Sequence, residues 1–548
     1  MMATVLDHRR AEAVGAPDSQ GPAVPRRTRI PAGPVLLVVL LAVSGLVHSW
    51  NAYQSPGTTV TDDEGTYVSQ AWALVNLGEL ANYTYWYDHP PVGWMMLAGY
   101  AWLTDGFDRL PAAIMVGREF MLVMKLVTVA LLYGLARRLG IGRTFTAIGI
   151  LLVAVNPLAL FFQRLTLLDN IAVPWVLAAF FLAASPRRRL GEQAASAVCF
   201  AVAVLTKETL LLLLPALVYV MWQHSARRTR PYVVVVVTTL FATTVLVYPL
   251  FALLKGELLP GEGHVSLWDA VRWQLVERQS SGSVFDPQSP AAGFVSIWRG
   301  LDLYFLALAL AAIPVALLQR KLRPVALVLV IQGLALLRGG YLPLAHPVAA
   351  LPFAALVVAG VLDGIWRSRF PVSSWLGRWA SRVPSLPRMA PALSVAVILG
   401  LLLTFAAGVV WPRWLPQVQA LATEQDNTST EEVTAWAAEN LPRDAIVLVG
   451  HGVWVDLVQQ GFSTENIIWY YKPDTDPEVS QRLPNNWRDI GYLISNVEMR
   501  ATVDSVTGTT DSATIETTIE AFENSEVIAS FGEGGEEIIV HRVDPTRE

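Results

Sequence analysis

Apolar runs of roughly 18 to 22 residues, broken by short polar or basic segments, recur along the first three-quarters of this 548-residue chain. A helix of about 20 apolar residues crosses a hydrocarbon core of about 30 Å. The runs predict spans near 33–51, 119–136, 144–161, 171–184, 192–206, 209–223, 232–252, 302–318, 325–338, 343–366 and 391–411. Residues 1–31 are polar and carry Arg9, Arg10, Arg26, Arg27 and Arg29. They read as a disordered cytoplasmic leader to a retained first helix, because 35–50 keeps its Val-Leu bulk and offers no small-residue cleavage site.

Beyond Trp411 the pattern changes to alternating helix and strand signals. Ser429 and Glu432 predict a helix start, and the helix runs to about Asn440. The segments 445–450, 466–471, 491–495, 526–531 and 536–542 read as strands, with a helix from Val453. Within 253–300, Ser266 and Asp269 form a capping-box pattern ahead of Trp268, Val271, Leu275 and Val276, which share one helix face. This predicts an amphipathic helix, lying on a membrane surface or packed on neighbouring protein.

Composition strengthens the membrane reading. Hydrophobic residues make up 53% of the chain and charged residues only 16%, where a soluble domain carries about a quarter charged. The mean hydropathy is +0.43. From Thr423 onward there are 24 acidic and 7 basic residues, so the rest of the chain is net basic. The lone Cys199 lies in an apolar run and has no partner for a disulfide within the chain.

Basic loops stay on the cytoplasmic side. The clusters are Arg137, Arg138 and Arg143; 187–189; Arg227, Arg228 and Arg230; Arg320, Lys321 and Arg323; and the basic residues of 367–388. Placing all of them inside gives about 11 spans, a cytoplasmic N-terminus and an extracytoplasmic C-terminus. The expected fold class is therefore a polytopic α-helical membrane protein with a C-terminal extracytoplasmic α/β domain. The expected divisions are a leader (1–31), a transmembrane catalytic domain (32–411) and a soluble domain (412–548).

That topology gathers ionisable residues on the outer face, where each is costly and needs a reason. The motif TDDEG supplies Asp62, Asp63 and Glu64, and YDHPP supplies Asp88 and His89. Arg118 opens the second span, and RLTLLDN carries Arg164 and Asp169. TKE carries Lys207 and Glu208, and RGGYLPLAH carries Arg338, Tyr341 and His346. A carboxylate there can act as a general base on a hydroxyl, and cations can hold a departing phosphate. Each residue also has a plainer use. The acids favour a helix N-terminus; HPP can be a turn; Arg164 with Asp169, or Lys207 with Glu208, can be structural ion pairs; and Arg338 can cap the membrane edge. The strand-GHG-turn at 450–452 hints at a ligand crevice. Asn82-Tyr83-Thr84 is a sequon, meaningful only in a glycosylating host.

The order of these motifs resembles the membrane glycosyltransferases of the GT-C fold over roughly residues 33 to 366. In particular it resembles the branch of the protein O-mannosyltransferases and the aminoarabinose transferase of lipid A. The resemblance implies Asp63 as base with Glu64 beside it, and Asp62 as a rival in register. It implies His89 lining the first outer loop, and Arg118, Arg164 and Lys207 facing a lipid phosphate. Asp169 would orient Arg164 or touch sugar hydroxyls, and Tyr341 would sit in an aromatic-Leu-Pro-Leu segment where His346 is less usual. The implied partners are a polyprenyl-phosphate-linked sugar, a glycan, lipid or protein acceptor, and membrane lipids, with no nucleic acid. No cofactor is expected, although Asp62, Asp63, Glu64 and Asp88 are hard oxygen donors that would suit a divalent cation. A transporter or a non-catalytic lipid-binding scaffold are the competing classes. A transporter is disfavoured by the absence of an internal repeat.

Overall fold

The computed structural model describes residues 32–368, 400, 403–508 and 510–546. The leader 1–31 and most of the span expected at 391–411 lie outside these residues. Helices occupy each expected span position from 33–51 to 343–366. By length and composition two of them can cross a membrane alone, Ala113–Arg138 and Arg230–Lys255. Two bent pairs raise that to as many as four, and shorter apolar helices include Gly33–Ser49, Leu168–Ala183, Leu190–Val204 and Arg323–Leu337.

The bends have local causes. Arg143–Val155 and Pro157–Arg164 meet at 65°. Pro157 cannot donate back into the first helix, and the Asn156 side chain caps the second by accepting from the Ala159 amide at 3.0 Å. The other Asn156 group donates to Asp302 at 2.6 Å. Asp302 marks the second bend, 101° between Pro290–Leu301 and Tyr304–Leu318, where it accepts from the Phe305 amide at 3.0 Å.

The basic clusters gather at one end of the helices, as their common side requires. Arg367 donates to the Gly140 carbonyl at 2.9 Å, Gln223 reaches the Arg320 carbonyl at 3.3 Å, and His224 lies in the field of Arg138, Arg188 and Arg320. The candidate site residues lie away from this end.

The segment 52–118 is more ordered than an interfacial loop. It holds the helices Asp62–Asn76 and Val92–Thr104. The capping box at Ser266 is present and starts the helix Leu267–Arg272. Trp268 is 57% exposed and Leu275 79% exposed, so this apolar face is not packed on neighbouring protein.

The C-terminal part is an α/β layer. Its strands are β1 (Val447–Val449), β2 (Ile467–Trp469), β3 (Tyr492–Ser495), β4 (Ser525–Phe531) and β5 (Ile538–Val543). They are ordered β2-β1-β3-β5-β4. β1 pairs in parallel with β2 and β3, while β5 pairs antiparallel with β3 and β4. All three residues of β1 are buried, which explains why its sequence is a continuous apolar run. The helix expected to start at Ser429 begins at Thr428 instead. Asn427, just before it, spends its side-chain oxygen on the Thr58 amide at 2.7 Å and so ties this region to the first loop.

Candidate active site

The three acids of TDDEG open one helix and point three ways, because successive helical residues are turned by about 100°. Thr61 caps that helix, accepting from the Asp63 amide at 3.3 Å. Glu64 turns inward. It accepts from Arg118 Nε at 2.9 Å and Nη2 at 2.8 Å, and from the amide and hydroxyl of Thr166 at 2.9 and 3.1 Å. Both side chains of this ion pair are fully buried. Arg118 completes its set on the carbonyls of Ala52 at 3.0 Å, Tyr53 at 3.4 Å and Pro56 at 2.7 Å. Every direction of the guanidinium is used inside the protein. The expectations that Arg118 faces a lipid phosphate and that Glu64 is catalytic beside Asp63 are therefore corrected: the pair is a lock between the first loop and the helix Ala113–Arg138.

Asp63 is exposed. Its charge is felt at Tyr67, Asp169, Lys207 and Tyr341, which come from four separate segments. His89 and Lys207 form the centre of this group. Lys207 Nζ lies 3.0 Å from His89 Nε2, and His89 Nδ1 lies 3.0 Å from Glu208 Oε2. An ammonium can only donate, so Nε2 accepts and the ring proton sits on Nδ1, facing the carboxylate. Lys207 is buried, and no described carboxylate lies within ion-pair distance of it. Asp169, also buried, acts on Lys207 and His89 from farther off. Asp88 accepts from the His89 amide at 2.9 Å and fixes the turn.

The backbone brings this group together. The Val92 amide donates to the Leu205 carbonyl at 3.2 Å, which seats the HPP turn beside Lys207. Gly93 permits it, since a Cβ there would stand 2.5 Å from Leu168 Cδ2 and 3.0 Å from Thr206 Cγ2.

Tyr341 closes the open side of the group with Arg278, which the sequence reading did not single out. The guanidinium lies 3.2 Å from the centre of the Tyr341 ring and donates to Gln274 Oε1 at 2.8 Å. Gln274 in turn reaches the Asp88 carbonyl at 3.4 Å. The available signal was a lone Arg at the end of the amphipathic segment.

Two expected members stand apart. Arg164 is buried and donates to the carbonyls of Leu421 at 2.9 Å, Val47 at 3.0 Å and Ser55 at 3.4 Å. It ends one helix while Asp169 opens the next, and the two do not pair; Asp169 serves Lys207 instead. His346 contacts the Gln332 carbonyl at 3.2 Å and stacks on Trp298, away from the acids. Among the described residues no group of three His, Cys, Asp or Glu side chains is placed to hold a metal ion, Glu64 being committed to Arg118.

The C-terminal domain adds further groups. His451 Nδ1 lies 3.1 Å from Asp62 Oδ2, and Glu498 accepts from the Asp62 amide. Burial, and then the charges of Asp62 and Asp63, push the Glu498 carboxyl up to about 8. The GHG turn thus carries a contact to the acids. The small cavity beside it, at the ends of β1 and β3, is lined by Gly450, Gly452 and Asn496 with Thr58 from the first loop.

Residues 88–248 match the family model of the dolichyl-phosphate-mannose-protein mannosyltransferases. No curated protein sequence matches the chain. ArnT from Cupriavidus metallidurans bound to undecaprenyl phosphate is similar in structure, with a TM-score of 0.53 at 14% identity over 93% of this chain and 98% of that one. Its apo state gives 0.51 at the same identity and coverage. The Saccharomyces cerevisiae protein O-mannosyltransferase Pmt1-Pmt2 complex bound to the sugar donor gives 0.33 at 16% identity, over 42% of this chain and 34% of that one. The chain therefore carries the GT-C fold of the membrane glycosyltransferases, with the mannosyltransferase family match inside its first half.

Proposed function

We propose that this protein is an inverting glycosyltransferase that moves a monosaccharide from a polyprenyl-phosphate donor to a hydroxyl acceptor. The acceptor is a cell-envelope glycan, a lipid or a protein. On this reading about eleven helices span the plasma membrane, and the C-terminal domain and the site lie on the outer face. The observation that carries the reading is the convergence of an exposed Asp63 with a buried Lys207 lacking a paired carboxylate. A buried ammonium that donates to one imidazole nitrogen, with the carboxylates beyond ion-pair distance, keeps two protons for an anion. The family match to a dolichyl-phosphate-mannose enzyme and the ArnT complex with undecaprenyl phosphate make a lipid phosphate the fitting anion.

Asp63 accepts the proton of the acceptor hydroxyl as its oxygen attacks the anomeric carbon. The bond from that carbon to the phosphate oxygen breaks, and the lipid phosphate leaves with the electron pair. Lys207, one of the three cations expected there, and Arg278 stabilise its charge, while Arg118 and Arg164 are spent inside the protein. His89 and Glu208 aim the lysine, and Asp169 faces the sugar hydroxyls. One displacement inverts the anomeric centre.

The test uses purified protein with undecaprenyl-phosphate-linked mannose or arabinose and a cell-envelope acceptor fraction, with NMR of the new glycosidic bond. Transfer with inversion supports the proposal. Transfer with retention, or no transfer by folded protein, overturns it.

A further inference from the structure

The C-terminal domain meets the acids of the first loop through atoms that the transfer chemistry above leaves unassigned. Gly65, directly after the acids, touches the GHG turn so closely that a Cβ would stand 2.4 Å from the His451 carbonyl carbon and 2.7 Å from the Gly452 nitrogen. His451 is 4% exposed. Its Nε2 lies 3.1 Å from the Tyr471 hydroxyl, and its Nδ1 lies 3.1 Å from Asp62 Oδ2. The second contact is off the line of a hydrogen bond, and contacts in catalytic sites are often poorly aligned before substrate binds. The Trp469 ring lies tilted to the imidazole at 4.6 Å and the Tyr470 ring edge-on at 6.3 Å. The charged and titratable groups around the imidazole are thus Asp62 from the first loop, Tyr470 and Tyr471 after β2, and Glu498 at the start of the helix Val497–Val506. Glu498 Oε2 is buried with no hydrogen-bond partner.

We propose that His451 and Tyr471 are positioning residues of the transfer site, holding Asp62 and through it the helical turn that presents Asp63. With Tyr471 donating to Nε2, the ring proton sits on Nδ1 and faces Asp62. The carboxylate that opens the helix then faces a ring of the C-terminal domain at 3.1 Å, and the close packing of Gly65 on the GHG turn leaves the helical turn little room to rotate. The site is accordingly built by two parts of the protein. On this reading Asp62 is held and Asp63 is free, so the two acids take different roles. The inference rests on Asp63 as the base.

The experiment compares wild-type, His451→Ala, His451→Asn and Tyr471→Phe in the full-length protein, with the same undecaprenyl-phosphate-linked sugars and Asp63→Asn as control. Displacing a reacting group by about 1 Å costs about 100-fold. His451→Ala is expected to lower kcat by about 10- to 100-fold with the donor KM within about twofold. Asn can place a donor where Nδ1–H stood, so His451→Asn is expected to recover most of that loss. Tyr471→Phe, which leaves the ring without its second contact, should fall between them. Independent of activity, hydrogen exchange of the 62–66 amides should quicken in His451→Ala and not in His451→Asn. Wild-type kcat and exchange in His451→Ala, or losses shared equally by His451→Asn, overturn the proposal. If wild-type protein transfers no sugar, the proposed function falls, and the exchange measurement still decides whether His451 holds the turn.

Discussion

Lys207 and His89 stand 3.0 Å apart although 118 positions separate them in the chain. The imidazole is held from its other side by Glu208 at 3.0 Å, so carboxylate, ring and ammonium form one line with the lysine at its end. A buried ammonium aimed in this way has two remaining protons for an incoming anion. The arrangement predicts a graded response. Lys207→Ala should reduce kcat by about 100- to 1,000-fold, as loss of one preorganised donor to a developing charge does. His89→Ala, which only frees the lysine to wander, should cost about tenfold less than that. Steady-state transfer assays on both variants check the order, and equal losses would contradict it.

The neighbouring acids Asp63 and Glu64 should separate stability from activity. Glu64→Ala leaves the Arg118 guanidinium buried without its carboxylate, and breaking such a pair costs about 3 to 5 kcal/mol. Asp63→Asn removes an exposed charge and should leave thermal unfolding in detergent within about 1 °C, since surface changes away from special features stay within about 0.5 kcal/mol. Thermal unfolding of the two variants in parallel is the measurement.

Glu498 gives a pH dependence with a definite sign. Its carboxyl is pushed from an ordinary 4.5 up to about 8, so the folded protein holds a proton that the unfolded chain releases. Its contribution is full below about 4.5 and is lost as the pH rises toward about 8. Thermal unfolding of the wild type should therefore weaken relative to Glu498→Gln between pH 5 and pH 9. The two should run closest at pH 5. Parallel curves across that range would contradict the burial of this acid between the domains.

Gly65 packs directly on the C-terminal part of the chain, and the atoms facing it are backbone. Backbone cannot swing aside as a flexible side chain can. Gly65→Ala should lift the GHG turn from the helix, speeding limited proteolysis between 424 and 450 and lowering transfer by about 100-fold. An unchanged digestion pattern with full activity would show that the domains do not meet there.

The sequence made the helices and strands legible because each is encoded by a local run, apolar for the spans and alternating or continuous for β1 to β5. It also placed Asp63, His89, Asp169 and Lys207 in one candidate set, and the fold brings these four into one region. It could not tell Asp62, Asp63 and Glu64 apart, since one residue of helical phase decides which is buried, held or free. Arg118 and Arg164 were read as ligand-facing because a lone arginine beside a membrane span looks the same whether its donors meet a phosphate or backbone carbonyls. Only tertiary structure supplies the carbonyls of Ala52, Pro56, Val47 and Leu421 that satisfy them. Arg278 and Glu498 escaped for the opposite reason, and His451 was legible only as part of the GHG turn. His451 and Glu498 meet Asp62, and Arg278 meets Tyr341, through docking of distant segments, and no local pattern records that.

The two roles assigned to the site can be separated in one preparation, by measuring undecaprenyl phosphate binding and sugar transfer for Asp63→Asn and Lys207→Ala. The account predicts that Asp63→Asn binds the lipid phosphate as wild type does yet transfers about 1,000-fold more slowly, within the range of general-base losses, while Lys207→Ala weakens both. Full transfer by Asp63→Asn, or undiminished lipid-phosphate binding by Lys207→Ala, would contradict it.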